Sequence, residues 1–288
     1  MDVLVVKDGK QLKFSETPIV PLRFLVSSIQ QEDYGKRVEG RAGIIHIGFD
    51  DVSRKIQIPF FFKGKEEFDF PLIRDELFSL FGKESFYIAE APDFEGNFTG
   101  KQYQVKISDV IDMDQDELDG RIAQGTLVFE TTDSPYAQSI LTTQEIQSNG
   151  LTIDKYWDFG MGFETVDNQE LIYNHKAVGE QSFHVFNAGN VEVHPFESYL
   201  KLTIKNVVGS TEMFQITNMT NGSRARISVP VAKTDVWTYD GPNIIRNLVH
   251  AAKHTRKNFI SLAPGWNTFK VYYCDSADVS FDFGFLYR

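Results

Sequence analysis

An apolar side chain occupies every second position of the C-terminal stretch Val279-Ser-Phe-Asp-Phe-Gly-Phe285. Successive side chains of a β-strand point to opposite faces of its sheet, so this pattern predicts a strand with one face on a core. The same period occurs in both halves of the chain, at Ile56 and Ile58, Val105 and Ile107, Leu127 and Phe129, Leu200, Leu202 and Ile204, Phe214 and Ile216, and Phe269 and Val271. Short strands separated by turn residues predict antiparallel sandwiches or barrels, so the fold class is mainly β.

The segment Asp69-Phe-Pro-Leu-Ile-Arg-Asp-Glu-Leu-Phe-Ser-Leu-Phe-Gly82 has a helical period instead. Pro71 suits the first turn of a helix, and Gly82 suits its C-terminal end. One face of this predicted helix carries four apolar residues, Ile73, Leu77, Leu80 and Phe81. A similar apolar stripe predicts a second helix over Pro242–Lys257, with an irregular conformation as the alternative because strands flank the segment.

The chain has 288 residues and a net charge of −11, which is unevenly divided along the sequence. Residues 1–137 carry 25 acidic and 16 basic side chains, whereas residues 138–288 carry 15 and 13. This shift, with a turn signal at Pro135 and a polar stretch after it, predicts two domains, 1–137 and 138–288. The acidic balance argues against sequence-specific nucleic-acid binding, because domains that bind duplex DNA usually carry a basic face.

The apolar runs of the sequence are short, and none approaches the roughly 20 residues of a membrane helix. We therefore expect no membrane partner. The N-terminal stretch Met1–Lys7 lacks the features of a signal peptide, so folding in a reducing cytoplasm is expected. The single cysteine, Cys274, excludes an internal disulfide framework, and no neighbouring basic residue is present to activate its thiol.

The candidate chemical motifs lack partners that metal binding or catalysis requires. The acidic run Asp112-Met-Asp-Gln-Asp-Glu-Leu-Asp-Gly120 resembles the start of a calcium loop. Its sixth and twelfth positions, however, hold Glu117 and Ala123 where that loop needs Gly and Glu. We interpret the run as a solvated loop, with an adventitious cation site as the alternative. His250 and His254 have the spacing of a two-histidine metal face, but no third ligand is evident. We therefore expect no catalytic residue, no metal and no cofactor.

Several segments, taken in order, resemble the distal tail protein family of long, non-contractile-tailed bacteriophages that infect Gram-positive hosts. No single motif is specific, but together they cover roughly residues 55–288. They are the helix Leu72–Phe81 followed by Ser85-Phe-Tyr-Ile-Ala89, the strand Lys101-Gln-Tyr-Gln-Val-Lys-Ile107, the segment Gly125–Ala137 with its Pro-Tyr-Ala turn, Asn187-Ala-Gly-Asn190 with His194-Pro195 and Leu200–Ile204, and Phe259–Asn267 with Val279–Tyr287.

This resemblance implies an N-terminal split β-barrel, or belt, domain with one helix, and a C-terminal galectin-like β-sandwich. It implies that six copies form a ring, with Glu16–Gly43 as the ring-building arm, at the tip of a virion tail. Such a ring joins the tail tube to the host-adsorption apparatus and lets DNA pass. The implied partners are other copies of the chain, which can include a second ring stacked on the first. The further implied partners are the major tail tube protein, a tail-associated lysin or hub protein, and a receptor-binding protein.

A cell-wall carbohydrate-binding or receptor-binding tail protein is the alternative function. Aromatic side chains can stack on sugar rings, and Trp157 with Tyr156 is the first candidate pair for saccharide contact. Trp237 and Trp266 lie in strand contexts, where core packing is favoured. A β-sandwich glycosidase is a third interpretation, but no carboxylate pair in the sequence selects it, so we expect a protein that is not an enzyme.

Overall fold

A computed structural model of the chain describes residues 1–7, 9–64, 66, 69–82, 84–91, 99–116, 119, 121–151, 157, 160–164, 166, 171–179 and 181–288, with Lys63 in its backbone only. It divides into two compact units, residues 1–137 with Arg288 and residues 138–287. We call them the N-terminal unit and the C-terminal unit. No described helix is long and apolar enough to cross a membrane.

The N-terminal unit is built on one curled antiparallel sheet and one α-helix, α1 (Asp69–Leu80). Its strands are β1 (Asp2–Lys7), β2 (Lys10–Lys13), β3 (Ile19–Pro21), β4 (Leu25–Val26), β5 (Gln30–Lys36), β6 (Ile45–Ser53), β7 (Lys55–Lys63), β8 (Phe86–Ala91), β9 (Lys101–Ile107), β10 (Met113–Gln115) and β11 (Ile122–Thr131). The sheet has the order β2–β1–β8–β9–β11–β7–β3, with β10 paired to β11 and β4 paired to β7. Strands β5 and β6 form a separate hairpin.

Phenylalanine side chains close the core of the N-terminal unit. Phe129 of β11 is fully buried and makes edge-to-face contacts with Phe81 and Phe86, at centroid distances of 5.4 and 5.8 Å. The face of α1 expected from the sequence packs on the same cluster through Ile73, Leu77, Leu80 and Phe81. The predicted helix and the predicted alternation of β11 are therefore confirmed together.

The C-terminal unit contains two antiparallel sheets and a short helix, α2 (Thr143–Asn149). Its strands are β12 (Ala137–Ser139), β13 (Asn174–Val178), β14 (Phe183–Asn187), β15 (Leu200–Val208), β16 (Phe214–Asn218), β17 (Arg224–Ile227), β18 (Trp237–Asp240), β19 (Asn243–Arg246), β20 (Val249–His250), β21 (Gly265–Tyr272), β22 (Ser276–Phe283) and β23 (Leu286–Tyr287). One sheet has the order β13–β22–β15–β18–β19–β20 and the other has the order β14–β21–β16–β17. Strand β12 pairs with β23.

The C-terminal alternation forms the centre of this sandwich. Phe281 of β22 lies 4.8 Å from Phe269 of β21, ring centroid to ring centroid, so the two sheets meet through aromatic side chains. The four alternating residues are all buried, as predicted: Val279, Phe281, Phe283 and Phe285. The mainly β fold class, with a barrel-like N-terminal sheet and a C-terminal sandwich, is confirmed.

Helix α2 was not predicted, because the polar stretch that contains it has no apolar stripe. Its seven residues are too few for a stable helix in isolation. Side-chain hydrogen bonds to a strand hold it in place. The Thr143 hydroxyl and the Gln144 amide both donate to the carbonyl oxygen of Phe281, at 3.0 and 2.6 Å.

The predicted helix over Pro242–Lys257 is wrong. The segment contains β19, β20 and a short 3₁₀ helix at Ala252–His254. A turn at Gly241, with φ of 54°, joins β18 to β19, and β19 pairs with β18. Asn247 and Leu248 both adopt the left-handed conformation and reverse the chain again before β20. Two reversals within eleven residues leave no room for the helix that the apolar spacing indicated.

We predict that Phe129→Ala lowers the free energy of unfolding by about 3–5 kcal/mol, because it leaves a cavity beneath α1. Guanidinium chloride unfolding of the full chain measures the change. The matched control is Phe78→Ala on the solvent side of α1, where Phe78 is 44% exposed. That control costs less than about 1 kcal/mol. Equal destabilisation by the two variants contradicts the assigned core.

Candidate assembly and ligand-binding surfaces

Trp157, the leading sequence candidate for saccharide contact, is only 3% exposed. Its ring makes edge-to-face contacts with Phe163 and Phe285, at centroid distances of 5.5 and 5.9 Å. Stacking on a sugar needs an open aromatic face, so this burial argues against the expected role of Trp157. Tyr156 lies outside the described residues, and its role stays a prediction.

The other two tryptophans differ sharply in exposure. Trp237 is fully buried, with the Arg246 guanidinium 5.6 Å from the centre of its ring. Core packing is therefore confirmed for Trp237. Trp266 is 39% exposed, so the same expectation is wrong for Trp266. It rests on Phe186 of the neighbouring strand at a centroid distance of 4.9 Å, and part of its surface faces solvent.

The acidic run is part of a hairpin in the N-terminal unit. Strand β10 pairs with Ala123–Gly125 of β11, and the side chains of Asp112, Asp114 and Asp116 are exposed. Residues 117, 118 and 120 lie outside the described part of the chain. Among the described residues, no group of three or more His, Cys, Asp or Glu side chains is placed to hold a metal ion. These carboxylates therefore act in the described structure as a solvated negative surface.

The cysteine and the histidine pair show no arrangement for catalysis. Burial and the neighbouring Asp275 carboxylate raise the pKa of the Cys274 thiol to about 11. The thiol is consequently protonated at neutral pH and a poor nucleophile. His250 lies on β20 and His254 in the 3₁₀ turn, so the two do not share a helix face.

The hairpin of β5 and β6 exposes apolar side chains that touch no core. Its strands pair with each other and, among the described residues, with no other strand. Ile47 is 68% exposed and Phe49 is 50% exposed, on alternate positions of β6. The exposed apolar residues of the hairpin and its connecting loop are Tyr34, Val38, Ile44, Ile47, Phe49 and Val52. Clustered exposed apolar side chains often mark a contact with another molecule, so this surface is a candidate assembly surface.

The base of the hairpin is fixed to the curled sheet by hydrogen bonds. The Ser53 hydroxyl donates to Glu130 at 2.8 Å, and the Tyr136 hydroxyl donates to Asp51 at 2.9 Å. Burial opposes ionisation of Asp51, but hydrogen bonds from Gln31 and Tyr136 outweigh it and lower the pKa of this carboxyl below its ordinary value. Asp51 is therefore ionised at neutral pH and anchors the hairpin where it leaves the sheet.

The hairpin differs from the arm that the resemblance assigned to Glu16–Gly43. Strands β3 and β4 lie on β7 within the curled sheet, whereas the projecting part runs from β5 to the end of β6 at Ser53. The sequence did contain a signal for β6, since Ile45, Ile47 and Phe49 alternate with other residues. Alternation shows that a strand has an apolar face, but it does not show whether that face meets a core.

The N-terminal unit matches a known family of domains. The model of the phage tail protein RIFT-related domain covers residues 7–131. Residues 7–131 are therefore similar to phage tail protein RIFT-related domains. A search of curated protein sequences finds no significant match.

A solved structure shows a similar fold along nearly the whole chain. The crystal structure of the Dit protein of phage SPP1, titled a paradigm of the hub adsorption apparatus in phages infecting Gram-positive bacteria, matches with a TM-score of 0.65. The match covers 98% of this chain and 99% of that chain, at 12% sequence identity. The activated baseplate of phage P2 with calcium matches with a TM-score of 0.45 at 10% identity, over 99% of this chain and 97% of that chain. The predicted resemblance to distal tail proteins is confirmed.

We predict that iodide, which cannot enter a protein core, quenches the fluorescence of Trp266 and spares the other two tryptophans. Trp266→Phe should remove nearly all iodide-sensitive emission, whereas Trp157→Phe should leave it unchanged. The control is the same titration in guanidinium chloride, where all three tryptophans become accessible. Loss of quenching in the Trp157→Phe variant would show that Trp157 is open to solvent. Trp157 would then again be a candidate for saccharide contact.

Proposed function

We propose that this protein is a structural component of a phage distal tail, a baseplate hub that forms a homohexameric ring and has no enzymatic activity. The ring joins the tail tube to the host-adsorption apparatus at the tip of the virion and lets DNA pass. Its proposed partners are the major tail tube protein, a tail-associated lysin or hub protein, and a receptor-binding protein. The observation that carries the proposal is the fold shared along nearly the whole chain with SPP1 Dit.

The hairpin supports assembly with other copies of the chain. Its exposed apolar strands leave water only if another molecule covers them, and a neighbouring copy supplies that cover without a further component. Contacts of this head-to-tail kind close into a ring when the rotation between copies divides a full turn evenly. The end of β5 and the loop after it also carry Lys36, Arg37 and Arg41, which suit the acidic surface of a neighbouring N-terminal unit.

The charge of residues 1–137 supports the passage of DNA. This half has a net charge of −9, given by 16 basic and 25 acidic side chains. Carboxylates that line a channel repel the phosphates of DNA, so the chain slides through without being held. We propose that Asp112, Asp114 and Asp116 face this channel.

We predict that the wild-type chain forms a ring of six times 32.9 kDa, about 197 kDa, alone or with its tail tube protein. Ile47→Asp with Phe49→Asp should reduce the assembly to monomers of 32.9 kDa, because burying two added charges in a contact is costly. Light scattering after size exclusion measures the mass, and negative-stain images show whether a central hole is present.

The matched control is Leu248→Asp with Val249→Asp in the C-terminal unit. Both residues are exposed, at 97% and 68%, so this variant adds the same charge and should keep the ring mass. Circular dichroism confirms that each variant is folded. A chain that stays monomeric with and without the tube protein, or a hairpin variant that keeps the full mass, contradicts the proposal.

We predict that Asp112→Asn, Asp114→Asn and Asp116→Asn together leave the ring mass unchanged but let the ring retard duplex DNA in a native gel at low salt. The triple substitution removes three negative charges per copy, so repulsion of phosphate falls. The matched control is Glu145→Gln, Glu197→Gln and Glu212→Gln, three exposed carboxylates of the C-terminal unit. If this control retards DNA equally, total charge decides the effect and the channel assignment is wrong.

A further inference from the structure

The outward face of the sheet β14–β21–β16–β17 is polar, cationic and free of carboxylates at its outward strand positions. Burial alternates along β16, β17 and β21, so one residue in two points away from the core. The outward residues that form two rows across this sheet are Lys270, Thr217 and Arg224, then Tyr272, Gln215 and Arg226. We call this surface the outer face.

Cations gather on the outer face although the C-terminal half of the sequence is slightly acidic. Residues 138–288 hold 13 basic and 15 acidic side chains, a net charge of −2. Arg256 adds a fourth cation beside the face, since its backbone N–H donates to the carbonyl oxygen of Arg226 at 3.2 Å. A surface of average composition carries positive and negative side chains mixed together. The clustering of positive side chains on the outer face therefore needs its own explanation.

These cations have no acidic partner in the described structure. None of Lys270, Arg224, Arg226 and Arg256 lies within 4.0 Å of a described carboxylate oxygen. The Arg226 guanidinium donates one N–H to the thioether sulfur of Met213 at 3.0 Å, while its buried Nε–H has no described partner. A sulfur is a weak acceptor and carries no charge, so this contact does not neutralise the positive charge of the guanidinium.

The spacing of the cations makes their mutual repulsion significant. Neighbouring strands lie about 5 Å apart and alternate residues of one strand about 7 Å apart. Lys270 and Arg224, on either side of β16, are therefore about 10 Å apart at the backbone, and Arg226 is about 7 Å from Arg224. The screening length at physiological salt is about 8 Å, so the positive charges repel one another. A bound anion relieves this repulsion.

The same face carries an open aromatic ring at the other end of β21. Trp266 lies two and four positions before Thr268 and Lys270, on the same side of the strand. A shallow pocket of about 430 Å³ adjoins its ring, lined by Ile172, His175, His184 and Trp266. This volume lies in the range of small-ligand pockets, about 300–1,000 Å³. His184 is fixed by a 3.2 Å hydrogen bond between its Nδ1 and the Thr268 hydroxyl.

We infer that the outer face binds an anionic glycan, a chain of sugar rings that carries carboxylate or phosphate groups. The cations pair with the acidic groups, and Arg224 and Arg226 offer the forked geometry that suits both. The indole of Trp266 covers the apolar face of a sugar ring. The hydroxyl and amide groups of Thr217, Thr268 and Gln215 supply hydrogen bonds to sugar hydroxyls.

A glycan accounts for the outer face better than duplex DNA does. Phosphate binding uses the cations but gives no role to an open tryptophan beside a pocket, because the bases of a duplex are stacked inside it. The inference does not depend on ring formation, so a monomeric chain can still bind the glycan.

The experiment measures binding of the full chain to three polysaccharides by isothermal titration calorimetry. Polygalacturonic acid presents carboxylates, phosphorylated dextran presents phosphates, and unmodified dextran presents neither. We expect binding to one or both charged polymers, weakening as salt rises, and no binding to neutral dextran. Comparison of the two charged polymers distinguishes a carboxylate-bearing ligand from a phosphate-bearing one. Failure to bind either charged polymer overturns the inference.

Variants test the two parts of the site separately. Trp266→Ala should weaken glycan binding about fivefold to tenfold through loss of stacking. Arg224→Gln with Arg226→Gln should weaken it about tenfold or more and flatten its salt dependence. The matched control, Lys176→Gln with Lys205→Gln, removes two charges from exposed positions on the other sheet and should leave binding unchanged. Equal losses in both charge variants overturn the assigned site.

Two further outcomes would overturn glycan binding and assign the outer face a different role. A short DNA duplex that binds as tightly as the charged glycans, with no effect of Trp266→Ala, shows a general polyanion surface. Light scattering of the Arg224→Gln, Arg226→Gln variant without glycan shows whether this face joins copies of the chain. A drop in assembly mass that matches the hairpin variant makes the outer face an interface and overturns the inference.

Discussion

Every strand of this protein has two faces, and a single layer of core covers only one of them. This constraint follows from the two-residue period of the β-strand. In the curled sheet the covered faces meet around Phe129, and in the sandwich they meet around Phe269 and Phe281. What the remaining faces carry then decides what the molecule can bind. Over much of the described part of the chain they are ordinary solvated surface, and two described surfaces differ: the apolar hairpin and the cationic outer face.

The period also explains how much of the fold the sequence reveals. Alternation identified β22 and β11, and the helical stripe identified α1, because each of these elements is long enough to show its pattern. The second predicted helix failed because left-handed residues at Asn247 and Leu248 break the segment into short strands. Asn247 suits a left-handed turn position, but Leu248 does not, so the pair gave a weaker turn signal than Asn followed by Gly.

The candidate site was harder to predict, and the tryptophans show why. The inward positions Phe269 and Val271 imply that Trp266, on the opposite parity of the same strand, points outward. The sequence contained that information, but using it required the knowledge that the strand begins at Gly265. Trp157 lies in no described strand, so the alternation of inward and outward positions makes no prediction for it. Its burial depends on Phe285, which is 128 residues away and reaches it only through the tertiary fold.

The two unusual surfaces depend on different physical forces, and this makes them separable in one protein. The proposed hairpin contact is mainly apolar, and screening by salt weakens apolar contacts little, while sulfate and phosphate salts strengthen them. The outer face depends on Arg224, Arg226 and Lys270, whose attraction to anions falls as salt rises. Raising the ionic strength should therefore release an anionic ligand while the assembly persists. A protein built in this way can hold an assembly and a ligand through independent contacts, since neither surface needs the other to act.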